Sequence, residues 1–188
     1  MDVLDDPAFV VPPVPDAPTG VAWLRSHVAR FSEGDDHRRR RALAESLLGR
    51  VRPDDLRRPG DPTATLAAAF GLPQDVVGDV ALVGASYQPH LAVTAEADAA
   101  VGRLVSAAGG QWDEASAALI GLLVQAHEAT RALIAGRTPP VPFTRRISPS
   151  GDEVQVDLSD HPFGAGRHAC PGREHALALA EAAQCPQD

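Results

Sequence analysis

With 188 residues, 44% of them apolar, the chain can bury one good-sized core, and a single domain over residues 1–188 is expected. Its net charge of -8 argues against a general nucleic-acid partner. No apolar run approaches the roughly 20 residues of a membrane span, and the start MDVLDDPAFVVPPVP lacks the basic and apolar regions of a signal peptide, so a cytoplasmic protein with no membrane partner is expected. Aromatic residues are scarce while Ala, Leu and Val are plentiful, which favours a mainly α fold. All seventeen basic residues are Arg, and neither Lys nor Asn occurs, a bias we attribute to a GC-rich bacterial genome. The two cysteines, Cys170 and Cys185, lie near the end of the chain, and in a reducing compartment no disulfide between them is expected.

Along the chain, residues 1–15 read as an extended, Pro-rich tail that wraps rather than folds alone. GVAWLRSHVARF, 20–31, shows helical spacing through Val21, Leu24, Val28 and Phe31. After a polar break at 32–36, HRRRRALAESLLGRV predicts a helix with Leu43, Leu47 and Leu48 on one face. Four arginines in its first turns oppose the helix dipole, so either Asp35 and Asp36 offset them, or they have a partner, or they form a solvated face. Short helices are predicted at 63–70, 74–84 and 95–108, with SYQPHLAV as a loop. The longest periodic segment, WDEASAALIGLLVQAHEATRALIAG from Trp112 to Gly136, opens with acids, closes with Arg131 and Gly136, and predicts the central helix. Glu128 is there either the beginning of its exposed end or a functional group in a cavity. TPPVPFTRRIS and GDEVQVDL then predict two short strands joined by a turn at SPSG.

The segment HPFGAGRHACPG, 161–172, carries the chemistry. Gly164, Gly166 and Gly172 surround Cys170, and Pro171 follows it at the expected start of a helix. Such a bend can present sulfur to a flat ligand, and the helix N-terminus with Arg167 and His168 would favour a thiolate. Zinc would need more ligands at the expected spacing, a catalytic thiol would need a base such as His168, and a heme iron needs only one protein thiolate. A buried, inert cysteine is the plain alternative.

FGAGRHACPG resembles the heme-binding signature of the cytochrome P-450 family: Phe, Gly, one residue, Gly, three residues, Cys, one residue, Gly. The resemblance implies a reduced P-450-like helical fold with a small two-stranded β element, a single domain binding heme b (iron protoporphyrin IX), and Cys170 as metal ligand. It places Phe163, Gly164 and Gly172 against the cofactor and sends His168 to a propionate. HRRRR resembles the family's basic helix, which implies that His37 and Arg41 bind propionates; four residues apart, they share a helix face. PPVPFTRR resembles the strand whose Arg, here Arg145, contacts a propionate. LLVQAHEAT resembles the distal helix, with Ala126 against the cofactor and Glu128 and Thr130 as catalytic candidates.

The departures are as specific. Family members usually run to about twice this length, and between Gly136 and Pro139 there is no room for the helices that carry the Glu-x-x-Arg motif; the resemblance covers about half of the family fold. Where the family commonly has Ala-Gly-x-Glu-Thr-Thr, this chain has Gln125, Ala126, His127, Glu128, Ala129 and Thr130, so the oxygen-activating Thr is replaced by Ala129. Thr130 lies one position on, about 100° around the helix. The function expected is therefore that of a heme-thiolate oxidoreductase acting on a small metabolite in bacterial secondary metabolism, driven by peroxide or by a ferredoxin or other redox partner. The alternative is a non-catalytic heme-binding sensor or an auxiliary subunit of a partner enzyme. Stripping helices from a packed fold should expose apolar surface, which a homodimer would cover.

Overall fold

The computed structural model describes residues 2–184; Cys185 lies outside them. Seven helices and one hairpin follow in chain order: α1 (Gly20–Ser26), α2 (Gly34–Leu48), α3 (Pro62–Ala69), α4 (Val77–Ser86), α5 (Ala95–Ala107), α6 (Glu114–Ile134), β1 (Phe143–Ile147), β2 (Glu153–Asp157) and α7 (Arg173–Gln184). Between α6 and β1 no helix intervenes.

The central position of α6 follows from its sequence. Asp113 caps it by accepting from the Ser116 N–H at 2.8 Å, and Gly136, with φ +72, closes it. Between those ends Ile120, Leu123 and Val124 are fully buried, and α6 packs against α2, α3, α4, α5 and α7. By length and composition alone its 21 residues could cross a bilayer, and half of its most apolar window is buried inside the fold.

The helix predicted over 20–31 breaks after Ser26. The Ser26 hydroxyl donates to the Trp23 carbonyl at 3.0 Å, and His27 Nδ1 lies 2.9 Å from the same oxygen. Side chains thus occupy the acceptor that the helix ladder would use, and the chain continues as a 3-10 turn at Ala29–Phe31. The short α1 is held from outside. Asp98 of α5 accepts from the Val21 N–H at 2.8 Å, and Gly20, with φ +75, lies so close to that carboxylate that no Cβ would fit. Arg25, buried at 8% exposure, donates to the carbonyls of Tyr87 at 3.0 Å and Gln88 at 2.7 Å, satisfying the end of α4.

The arginines that crowd the start of α2 have partners. Arg38 pairs with Asp35, Arg39 with Asp36 at 2.8 Å, and Arg39 and Arg40 both meet Glu114 at the N-terminus of α6, at 2.6 and 2.7 Å. The antiparallel hairpin pairs Phe143 with Asp157 and Ile147 with Glu153, and Val10 of the N-terminal tail bridges to Ile147. The tail therefore lies on the molecule, with Leu4 and Val11 buried.

Candidate functional site

A cleft of about 1450 Å³, including its open mouth, runs between α6 and the loop before α7. One wall is a stripe of α6: Ala118, Gly121, Leu122, Gln125, Ala126 and Ala129. Steps of three and four residues keep these on one helix face, and their small side chains leave the space open.

Facing this stripe is the cysteine loop, whose shape is set by glycine and by its own hydrogen bonds. Gly164 takes φ +71, its N–H donates to His161 O at 2.8 Å, and the Cys170 N–H donates to Phe163 O at 2.8 Å. Gly166, with φ +61, packs so tightly on the Leu4 carbonyl that a Cβ would collide, which ties the loop to the N-terminal tail. The Gly172 carbonyl accepts from the Ala176 N–H at 2.9 Å and starts α7. Phe163, Gly164, His168, Cys170 and Gly172 all line the cleft. The Phe163 ring lies 5.4 Å from the Arg173 guanidinium carbon. Cys170 is open to the cleft, yet the protein around it pushes its thiol up, outweighing the Gly172 N–H and the charges of Arg41 and Arg30. The thiolate expected from the helix terminus and nearby cations is thus not the resting form, because burial wins.

Cationic and imidazole groups gather at one end of the cleft. His37, buried on α2, lies with its ring tilted against that of His168, the centroids 4.3 Å apart, and its Nε2 has no hydrogen-bond partner. Burial holds His37 below the ordinary imidazole range and, with the neighbouring His37, holds His168 down at about 4. Arg41 donates from Nη1 to Ala169 O at 2.5 Å and from Nε to Glu45 at 2.6 Å.

The sequence missed Glu33, and it read Arg167 only as a cation near Cys170; together the two hold this cluster. Arg167 Nε donates to Glu33 Oε2 at 2.9 Å, Glu33 Oε1 accepts from the Val11 N–H at 2.8 Å, and His168 Nε2 lies 3.2 Å from Glu33 Oε1. Burial alone would raise Glu33, but Arg167, Val11 and His168 together lower it. No spacing signal joins residues 134 positions apart; only the fold does.

Three expected site residues lie elsewhere. Arg145 points away from the cleft and pairs with Glu153 at 2.6 Å, whereas Arg146 is 5% exposed and lines the cleft. Successive strand residues face opposite sides, so a one-residue offset reverses the role. Arg146 donates to Thr144 Oγ1 at 2.9 Å and to Arg145 O at 2.8 Å, and burial lowers its pKa. Glu128 is exposed at 59% of its side chain and abuts Gly84 of α4 rather than the cleft. Thr130 is 1% exposed, its hydroxyl lacks a partner, and it too lies off the cleft stripe. Each is one step, about 100°, from Ala129, on either side.

No protein-family model matches the chain, and no curated protein matches it. Among solved structures, it is similar to P450BioI, crystallised in complex with hexadec-9Z-enoic acid ligated acyl carrier protein: the TM-score is 0.66, with 15% sequence identity, over 96% of this chain and 80% of that chain. The fold is P450-like. At this identity the likeness concerns fold, and the roles of the site residues rest on their own geometry.

That geometry suits heme. A single cysteine faces the cleft, a buried imidazole nitrogen of His37 has no partner, and His37, His168, Arg41 and Arg146 collect at one edge where no carboxylate of the described residues lines the cleft. Among the described residues no three His, Cys, Asp or Glu side chains converge on a metal position, and a heme iron held by one thiolate requires none.

Proposed function

We propose that the chain is a heme-thiolate oxidoreductase of reduced size, which oxidises a small, largely apolar metabolite with peroxide as the oxidant. The observation that carries this reading is the meeting of Cys170 and a set of carboxylate-binding donors on one cleft opposite the small-residue stripe of α6. Cys170 would hold the iron, losing its proton as the metal binds. His37, His168, Arg41 and Arg146 would hold the propionates. Bound in this way, heme b would supply oxidation chemistry at its iron. Ala118, Leu122, Ala126 and Ala129 exclude water and leave room for a substrate.

Peroxide is favoured because the α6 wall carries no acid or alcohol into the cleft. Glu128 and Thr130 face elsewhere, so neither can pass a proton there. A peroxide brings its own protons, and a ferredoxin or other redox partner is then dispensable. The same observation supports a second reading, a non-catalytic heme-binding sensor or auxiliary subunit.

The test is the ferrous–CO spectrum of the purified protein. A red-shifted Soret band is expected, lost in Cys170→Ala and kept in Cys185→Ala; an unchanged spectrum in the Cys170 variant overturns the assignment. Product formation with added hydrogen peroxide across a substrate panel separates the enzyme from the sensor.

A further inference from the structure

The chain carries 25 acidic residues and a net charge of -8, yet among the described residues no Asp or Glu lines the cleft. Its charged wall consists of Arg30, Arg40, Arg41 and Arg146, with His37, His168 and His175 beside them. A cavity of an acidic protein that is lined by cations and by none of the described carboxylates is suited to anions.

The four arginines are not equivalent. Arg40 is committed to Glu114 at 2.7 Å and to Ser32 Oγ at 2.6 Å, and Arg41 to Glu45 and the Ala169 carbonyl. Arg146 is held by Thr144 and the Arg145 carbonyl, beside the His37–His168 pair. Arg30, on the 3-10 turn between α1 and α2, has no hydrogen bond and no ion pair among the described residues. Its guanidinium carbon lies 5.7 Å from the centroid of the neighbouring Phe31 ring, and the residue borders the cleft.

The titratable groups within electrostatic reach of Arg30 are Tyr87, Cys170 and the like-charged Arg146. Burial raises the Tyr87 phenol, so it offers no counter-charge at neutral pH, and no carboxylate of the described residues lines the cleft beside Arg30. A guanidinium stays protonated even when desolvated, and leaving it in an apolar wall without an anion is costly. The four donors His37, His168, Arg41 and Arg146 suffice for the pair of carboxylates on heme b, which leaves Arg30 over.

We infer that Arg30 is a specificity-determining residue that anchors the carboxylate of an apolar monocarboxylic-acid substrate inside the cleft. The planar fork of one guanidinium matches one carboxylate, and the remaining wall nearby, including Val28, Leu66, Leu122 and Ala129, takes an aliphatic body. The inference deepens the proposed function and rests on it for calling the ligand a substrate.

The experiment titrates the purified, heme-loaded protein with decanoate and with decanamide, its neutral counterpart, by calorimetry and by the optical shift of the Soret band. Heme content is measured first, and the same calorimetry is run on the protein as purified. The native chain is expected to prefer decanoate by about tenfold or more, the usual scale of a hydrogen bond to a charged group. Arg30→Gln should abolish that preference while leaving heme content and decanamide affinity unchanged, and Arg30→Lys should restore part of it. Equal binding of acid and amide by the native chain overturns the inference, as does a preference that survives in Arg30→Gln. Loss of heme from both Arg30 variants also overturns it, by moving Arg30 into the cofactor-binding set. If the native chain takes up no heme yet shows an Arg30-dependent preference for decanoate, the proposed function fails while the carboxylate anchor stands.

Discussion

At the scale of the residue, the site depends on small offsets. Arg145 and Arg146 differ by one position on β1, and the pleat sends one to Glu153 and the other into the cleft. The PPVPFTRR resemblance located the strand correctly but not its register, because an arginine pair satisfies the pattern in either register. The consequence for heme retention is specific. Arg41→Gln combined with Arg146→Gln should release heme markedly faster than the native chain, followed as transfer to apomyoglobin, whereas Arg145→Gln should leave the rate within about twofold. The larger effect is expected because charge-assisted hydrogen bonds in a partly desolvated site are roughly twice as strong as neutral ones. Equal rates for both variants would return Arg146 to a purely structural role.

At the scale of the element, α6 shows what a periodic sequence reveals and what it conceals. Its extent, its caps and its central place were legible, since Asp113, the apolar run through Val124 and Gly136 all point to one long buried helix. Its rotation was not. A helix buried on most sides has no polar face to mark which stripe meets a cavity, so Glu128 and Thr130 were drawn into the site by family pattern alone. The structure rotates Ala126 and Ala129 into the cleft and turns Glu128 toward Gly84. Glu128→Gln should therefore change peroxide-driven turnover by less than about twofold, against the hundredfold or so typical of a lost acid-base group. Ala129→Leu, which adds bulk to the cleft wall without displacing packed core, should alter stability by under about 1 kcal/mol yet strongly impair heme uptake or substrate binding. A large Glu128 effect with a silent Ala129→Leu would put the cleft on the wrong face of α6. The first helix failed for a different reason: the Ser26 and His27 side chains compete for the Trp23 carbonyl, a local chemistry that apolar spacing does not register.

At the scale of the whole molecule, Glu33 joins the N-terminal tail, the start of α2 and the cysteine loop through Val11, Arg167 and His168. This node sets how the fold responds to acid. His168 is held at about 4 in the folded chain against an ordinary 6.5, and His37 is lowered too. Between those pH values the unfolded chain binds protons that the folded chain refuses, so stability is fully present above about 6.5 and falls as pH drops toward 4. For His168, a side chain with 8% exposure, the loss amounts to about 3 kcal/mol at most. Below that window the imidazole contribution levels off, but Glu114, held down at about 2 by Arg39 and Arg40, extends the decline through the range from 4.5 to 2. The heme-free protein should thus melt progressively lower as pH falls from 7 to 4, as followed by circular dichroism. Loading heme should flatten this dependence, because carboxylates placed against His37 and His168 favour their charged forms and raise both values toward normal. A melting temperature with the same pH slope in both forms would mean that the two histidines do not face the cofactor.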